Sequence, residues 1–196
     1  MTDDGWEQIR AGLALIQWSG LATWDDARCT LDPADPQIFE RSAGEVHSEF
    51  GRVISWIVFS VGTEYLVKGI CLLRGLIQVR ERPVLRPPFP SEDIQSWVRL
   101  VCNKQQAAYE SVISFGTLGD MPLEKLVKDL PERDLAWAAL ELLRQSIRNR
   151  DAHRYMRNVR AAHFRAVREL LVPASNALLN LLDRAELRTR LSGLGG

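Results

Sequence analysis

GRVISWIVFSVGTEYLVKGICLLRGL, residues 51–76, decides the fold. Its apolar residues belong to a longer series, Val46, Phe50, Val53, Ile57, Val61, Tyr65, Leu72, Leu73 and Leu76, which recurs at threes and fours as one face of an α-helix requires. The pattern predicts a helix that starts near Pro36 to Ser42 and runs to about Val79. Gly62 and Gly69 lie inside it and lower local helix propensity. They mark either a bend that makes two helices of one, or a close helix contact. The most apolar run, Val53 to Val61, is bounded by Arg52 and Glu64 and falls short of the roughly 18 consecutive apolar residues a membrane span needs, so no span is expected.

Upstream, Ile9, Leu13, Ile16 and Trp18 suit a short amphipathic helix from about Trp6 to Trp24, broken by Asp32-Pro33-Ala34-Asp35-Pro36. Downstream, the prolines of Arg82-Pro83-Val84-Leu85-Arg86-Pro87-Pro88-Phe89-Pro90 fix φ and remove donors, which predicts a stiff linker. Ser91 offers an N-cap, with Glu92 and Asp93 in the first turn, for a helix to about Phe115. A turn at Gly116 to Asp120 precedes a short helix from Pro122 to about Leu130. The pattern is then helical from Pro131 to about Leu171, and Pro173 either ends that helix or starts another that reaches Arg190. No window alternates with period two. The expected class is all-α: a bundle of long antiparallel helices with an N-terminal helical extension and linker over residues 1–44, a helical domain over 45–190 and a flexible tail over 191–196.

The 196 residues, 46% of them hydrophobic, are enough for one core with an appended N-terminal piece. Lys+Arg 25 against Asp+Glu 25 cancel, which excludes a protein that coats nucleic acid or acidic membrane through bulk charge. Any basic site is therefore local. Cys29, Cys71 and Cys102 are isolated, without zinc-knuckle or disulfide-framework spacing, as expected of a reducing cytoplasm. The start, Met1-Thr2-Asp3-Asp4, lacks the cationic opening of a signal peptide. The six tryptophans are scattered away from the basic residues, as core or interface groups are.

The chemistry gathers in Arg148-Asn149-Arg150-Asp151-Ala152-His153. This polar block interrupts an apolar stripe that runs through Leu135, Ala139, Leu143 and Ile147 and resumes at Tyr155, Val159, Ala162, Ala166 and Leu170. Around it, Arg144, Arg148, Arg150, Arg154, Arg157, Arg160, Arg165 and Arg168 face a single carboxylate, Asp151. All eight cations are arginine, which favours bidentate phosphate recognition. The plainer reading is a surface helix paired with Asp134 and Glu141.

At these residues the chain resembles the HEPN superfamily, whose ribonuclease members carry Arg, commonly a polar residue after it, and then His after four to six intervening residues. Arg148-Asn149-x-x-x-His153 fits that spacing, and Glu64-Tyr65-Leu66-Val67-Lys68 is similar to the Glu-x-x-x-Lys segment of many HEPN helices. The resemblance covers about Glu45 to Leu182. It implies metal-independent cleavage of single-stranded RNA by a homodimer in which two motif helices meet across one cleft, in a toxin or defence effector that an antitoxin or another protein regulates.

RNA cleavage of this kind needs a base for the 2′-hydroxyl, an acid for the leaving 5′-oxygen and a cation for the phosphate. His153 and Arg148 supply those residue types, and Asn149 has an amide suited to orienting phosphate or sugar. Arg144, Arg150, Arg154, Arg157 and Arg160 are the expected RNA-binding residues, with Glu64, Lys68 and Asp151 in support. Five helical steps separate Arg148 and His153 by about 140°, whereas Asn149 and His153 share a face. Glu64 and Lys68 are equally spaced for an ordinary i,i+4 pair worth about 0.2–0.5 kcal/mol. His163 and His47 are not spaced as metal partners of His153, so neither metal nor cofactor is expected. The rival readings are a helical RNA- or nucleotide-binding module that does not cleave, and an interaction protein that uses the polar block as an interface.

Overall fold

The computed structural model describes residues 2–35, 48–78, 80–84, 108–112, 120–149 and 161–194. They are mostly helical and divide into two units, Met1–Ile77 with Leu118–Gly196, and Gln78–Thr117. The larger unit therefore takes in the first helix as well as the later ones.

Helix α1 (Thr2–Trp18) buries Ile9, Leu13 and Ile16. It stops short of the expected Trp24 because Ser19 and Gly20 end it. The Ser19 hydroxyl donates to the Ile16 carbonyl and accepts from the Leu21 N–H, and Gly20 takes φ +71, a conformation that favours glycine. Trp18, expected on the buried stripe, is 73% exposed. The chain then forms strands β1 (Ala22–Asp25) and β2 (Thr30–Pro33), antiparallel with Trp24 opposite Leu31. Both of these residues are buried, so the hairpin contributes to the core. The expectation of no strands is corrected here.

Helix α2 (Ser48–Leu73) is one continuous helix. Its glycines mark a close contact: a Cβ on Gly69 would lie 2.6 Å from the Gly5 carbonyl oxygen, and Gly62 meets Gly12 in the same way. Since 5 pairs with 69 and 12 with 62, α1 and α2 run antiparallel with their backbones almost touching. The buried side of α2 carries Val53, Trp56, Phe59, Leu66, Val67 and Ile70. The expected stripe through Ile57, Val61 and Tyr65 is only half-buried. Apolar residues surround this helix, so spacing alone does not single out the face that lies against α1. Gly75, at φ +65, closes the helix as its N–H reaches Leu72 and that of Leu76 reaches Cys71. Gly51–Leu73 is long and apolar enough for a membrane span by length and composition alone, since the helix continues through Glu64 and Lys68. Within the fold, 67% of that window is buried, as in a core helix.

In the smaller unit, β3 (Arg80–Val84) pairs antiparallel with β4 (Ala108–Val112), setting Arg82 opposite Glu110. Arg82, Pro83 and Val84 thus belong to a strand where a linker was expected. Residues 108–112 are a strand where helix was expected. The β-formers Tyr109 and Val112, with a partner to pair with, outweigh the helical spacing.

In the larger unit, α3 (Asp120–Val127) starts two residues before Pro122, and α4 (Arg133–Asn149) buries Ala136, Ala139, Leu140 and Leu143. Helix α5 (Ala161–Ala166) passes through a π-helical turn (Val167–Leu171) into α6 (Val172–Leu179). Pro173 stands in the first turn of α6, as the second of the two expectations has it, and the π-helical turn leads into it without a break. The wide turn, in which the Val172 N–H donates to Val167, relieves the clash a proline makes with the preceding turn. It also shifts the core face: Val167 and Leu171 are buried, while Ala166 and Leu170 are half-buried and Ala162 is exposed. Asn180 to Asp183 break the expected run to Arg190. Asp183 then caps α7 (Arg184–Leu191) by accepting from the Glu186 N–H at 2.9 Å. Residues 192–194 make a turn, and the Gly193 N–H donates to Asp26 at 3.3 Å.

Two clamps join distant parts of this unit. The Asn176 amide accepts from the Leu31 N–H at 2.7 Å and donates to the Leu31 carbonyl at 2.9 Å, as a neighbouring strand would. At the far end of α1, Arg190 reaches Asp3 at 3.3 Å, and Arg10 donates to the Arg190 carbonyl.

Candidate active site

Helix α4 packs on α2, on the π-helical turn and on α6. It carries Arg144, Arg148 and Asn149. Arg150, Asp151, His153, Arg154, Arg157 and Arg160 lie outside the described residues. The structure thus gives the helical setting of the motif's first half. After residue 160 the chain returns to α2: the His163 ring meets Trp56 edge-on, with centroids 5.0 Å apart and planes at 86°. Arg165 and Arg168 are exposed.

The other expected pair is fully placed. Lys68 Nζ contacts Glu64 Oε1 one turn away and lies 5.7 Å from the centre of the Tyr65 ring. Spacing alone describes an ordinary surface pair, yet Lys68 is only 6% exposed and Glu64 is half-buried. One turn before it, Ser60 is buried and its hydroxyl has no hydrogen-bond partner among the described residues. Ser60, Glu64 and Lys68 thus form a polar row at i, i+4 and i+8. At 100° per residue the row lies about 160–240° around the axis from Gly62, on the side of α2 turned away from α1. Ion-pair spacing points to Glu64 and Lys68 but not to Ser60; a polar residue every fourth position through an apolar helix is the signal that includes it.

A cleft of about 590 Å³ in the same unit is lined by Trp6, Arg74, Lys125, Lys128, Asp183 and Glu186, among others. None of the described residues of the polar row or the motif lines it. No protein-family model, curated protein or solved structure matches this chain. Among the described residues no group of three or more His, Cys, Asp and Glu is placed to hold a metal ion. Cys71 is buried and its thiol is pushed up to about 12, mainly by loss of solvent, so it is no nucleophile near neutral pH.

Proposed function

We propose that this chain is a HEPN-type endoribonuclease that cleaves single-stranded RNA as a homodimer, in the cytoplasm, as a toxin or defence effector held in check by an antitoxin or other regulatory protein. One observation carries the reading: Arg148 and Asn149 lie on a helix, α4, that packs on the central helix carrying the Glu64–Lys68 pair. His153 takes the proton from the 2′-hydroxyl as its oxygen attacks phosphorus. The P–O5′ bond breaks, the 5′-oxygen gains a proton, and a 2′,3′-cyclic phosphate remains. Arg148 holds the phosphate charge and Asn149 orients the phosphate or sugar. Arg144, Arg150, Arg154, Arg157 and Arg160 hold the flanking RNA, and Asp151 offsets part of their charge.

The test is labelled single-stranded RNA with purified protein in EDTA. Cleavage to 2′,3′-cyclic ends is expected, with loss of about 10²–10⁴ in rate for His153→Ala. Arg148→Ala lowers turnover more than it weakens binding. Absence of cleavage across varied RNAs, or unchanged cleavage by His153→Ala, leaves the non-catalytic RNA-binding module as the reading.

A further inference from the structure

The cleft of about 590 Å³ in the larger unit has the size of a small-molecule site, which spans roughly 300–1,000 Å³. Its lining is apolar where Trp6 of α1, Leu73 of α2 and Leu182 after α6 meet, and the Trp6 ring is otherwise buried. Charge of both signs surrounds this apolar part. Arg74, just past α2, joins Lys125 and Lys128 of the α3 end on one side, while Asp183 and Glu186 stand at the start of α7 on the other. Opposite charges so placed would pair if they could reach. Among the described residues they do not: Arg74 donates to the Leu181 carbonyl at 3.5 Å, Lys128 approaches its chain neighbour Asp129 at 4.0 Å, and Asp183 accepts from the Glu186 N–H. No ion pair there joins α7 to the three cations. With Asp129 the lining balances three cations against three carboxylates, which disfavours a polyanion such as RNA and suits a ligand whose own charges cancel.

We propose that this cleft binds a small zwitterion with an apolar body, the chemistry that an apolar amino acid or dipeptide presents. The ligand carboxylate accepts from Arg74 and Lys125, where the planar guanidinium fork gives it direction. Its ammonium, with three N–H donors, donates to the Glu186 carboxylate. Its apolar side chains leave water for the surface of Trp6 and the leucines, which adds affinity in proportion to the area covered. Asp183 stays with the α7 backbone that it caps. The site is independent of RNA cleavage and stands or falls apart from the endoribonuclease reading.

The test titrates the full-length protein with free phenylalanine, with the dipeptide leucyl-phenylalanine, and with that dipeptide acetylated at its amine or amidated at its carboxylate. Calorimetry gives the affinities, and the NMR signal of the Trp6 indole N–H, assigned through Trp6→Phe, gives the place. At least one of the two free zwitterions binds with Kd of about 1 mM or below and shifts the Trp6 signal. The tighter of the two tells an amino-acid source from a peptide source. Capping either charge weakens binding at least about threefold. Lys125→Ala removes most of the preference for a free carboxylate, and Glu186→Ala most of the preference for a free ammonium. Both side chains are exposed and the Asp183 cap is left in place, so urea midpoints stay near wild type; Lys125→Gln and Glu186→Gln stand in where alanine lowers them. The proposal is overturned by the absence of saturable binding of either zwitterion up to about 10 mM, or by binding that leaves the Trp6 signal unmoved. Unweakened binding of either capped dipeptide, or discrimination that survives both variants, overturns it equally.

Discussion

A Cβ on Gly62 would lie 2.7 Å from the Gly12 carbonyl oxygen, and one on Gly12 would lie 2.6 Å from that of Gly62. The obstruction is backbone on both sides, so no side chain can swing away. Gly12→Ala and Gly62→Ala are therefore expected to destabilise by about 1–3 kcal/mol, despite alanine's better helix propensity. Gly51, in α2 with open space around its Cβ position, gives the control: Gly51→Ala stabilises by about 0.5–1 kcal/mol. Urea midpoints at a common m-value check both signs.

Asn176→Leu removes both hydrogen bonds to the Leu31 backbone and leaves a donor and an acceptor there without replacements. The expected loss is about 1–3 kcal/mol. Hydrogen exchange at Leu31 and across the β1–β2 hairpin should accelerate more than at α2; equal change throughout would show that Asn176 is no local clamp.

Asp25 accepts from the Arg28 backbone N–H at 2.9 Å and from the Arg28 guanidinium at 2.6 Å. These hydrogen bonds, the backbone one first, hold its carboxyl below the ordinary aspartate value of 3.8. A lowered carboxyl contributes stability above the ordinary value and loses it as pH falls through the lowered one. An NMR titration should place Asp25 below 3.8, and Arg28→Ala should move it upward. The pair lies at the surface with Arg28 exposed, so the effect on overall stability is small and screened by salt.

The Cys71 thiol, pushed up to about 12, stays protonated at pH 8. Alkylation there requires the core to open. Mass-mapped labelling of Cys71 should follow the unfolding curve in urea, and rapid labelling of the native protein would contradict its burial.

Arg165 and Arg168 are exposed on the helical run that follows the motif, where they are free to track an RNA backbone. Replacing either by alanine should weaken RNA binding and flatten the log–log salt slope by about 0.7 for each phosphate the variant no longer neutralises. An unchanged slope in both variants would remove this face from the RNA path.

The legible parts of the sequence are those set by local chemistry. Ile9, Leu13 and Ile16 announce the buried face of α1 through their spacing, and Gly62 and Gly69 announce either a bend or a close contact, of which the contact is found. Strands β1 and β4 are not legible, because each needs a partner that no local window contains. The buried face of α2 differs from the expected stripe by part of a turn, since apolar residues on every side leave the choice to the glycine contacts with α1. For the candidate site, spacing finds Glu64 and Lys68, but their burial is invisible: an i,i+4 pair reads alike in water and in a core. The π-helical turn ahead of Pro173 is equally hidden, and it moves the core face from Ala166 and Leu170 to Val167 and Leu171.

The clamps between α1 and α7, and between β2 and α6, join residues up to 187 positions apart. On a ribosome, α1 and the first hairpin emerge long before either partner exists. Asp3, Arg10 and the Leu31 backbone stay without these partners until α6 and α7 have left the exit tunnel, although α1 can already pack on α2. Chains interrupted after Arg148 but before Asn176 carry the first half of the motif without either clamp, so translation itself delays assembly of the helices that support it.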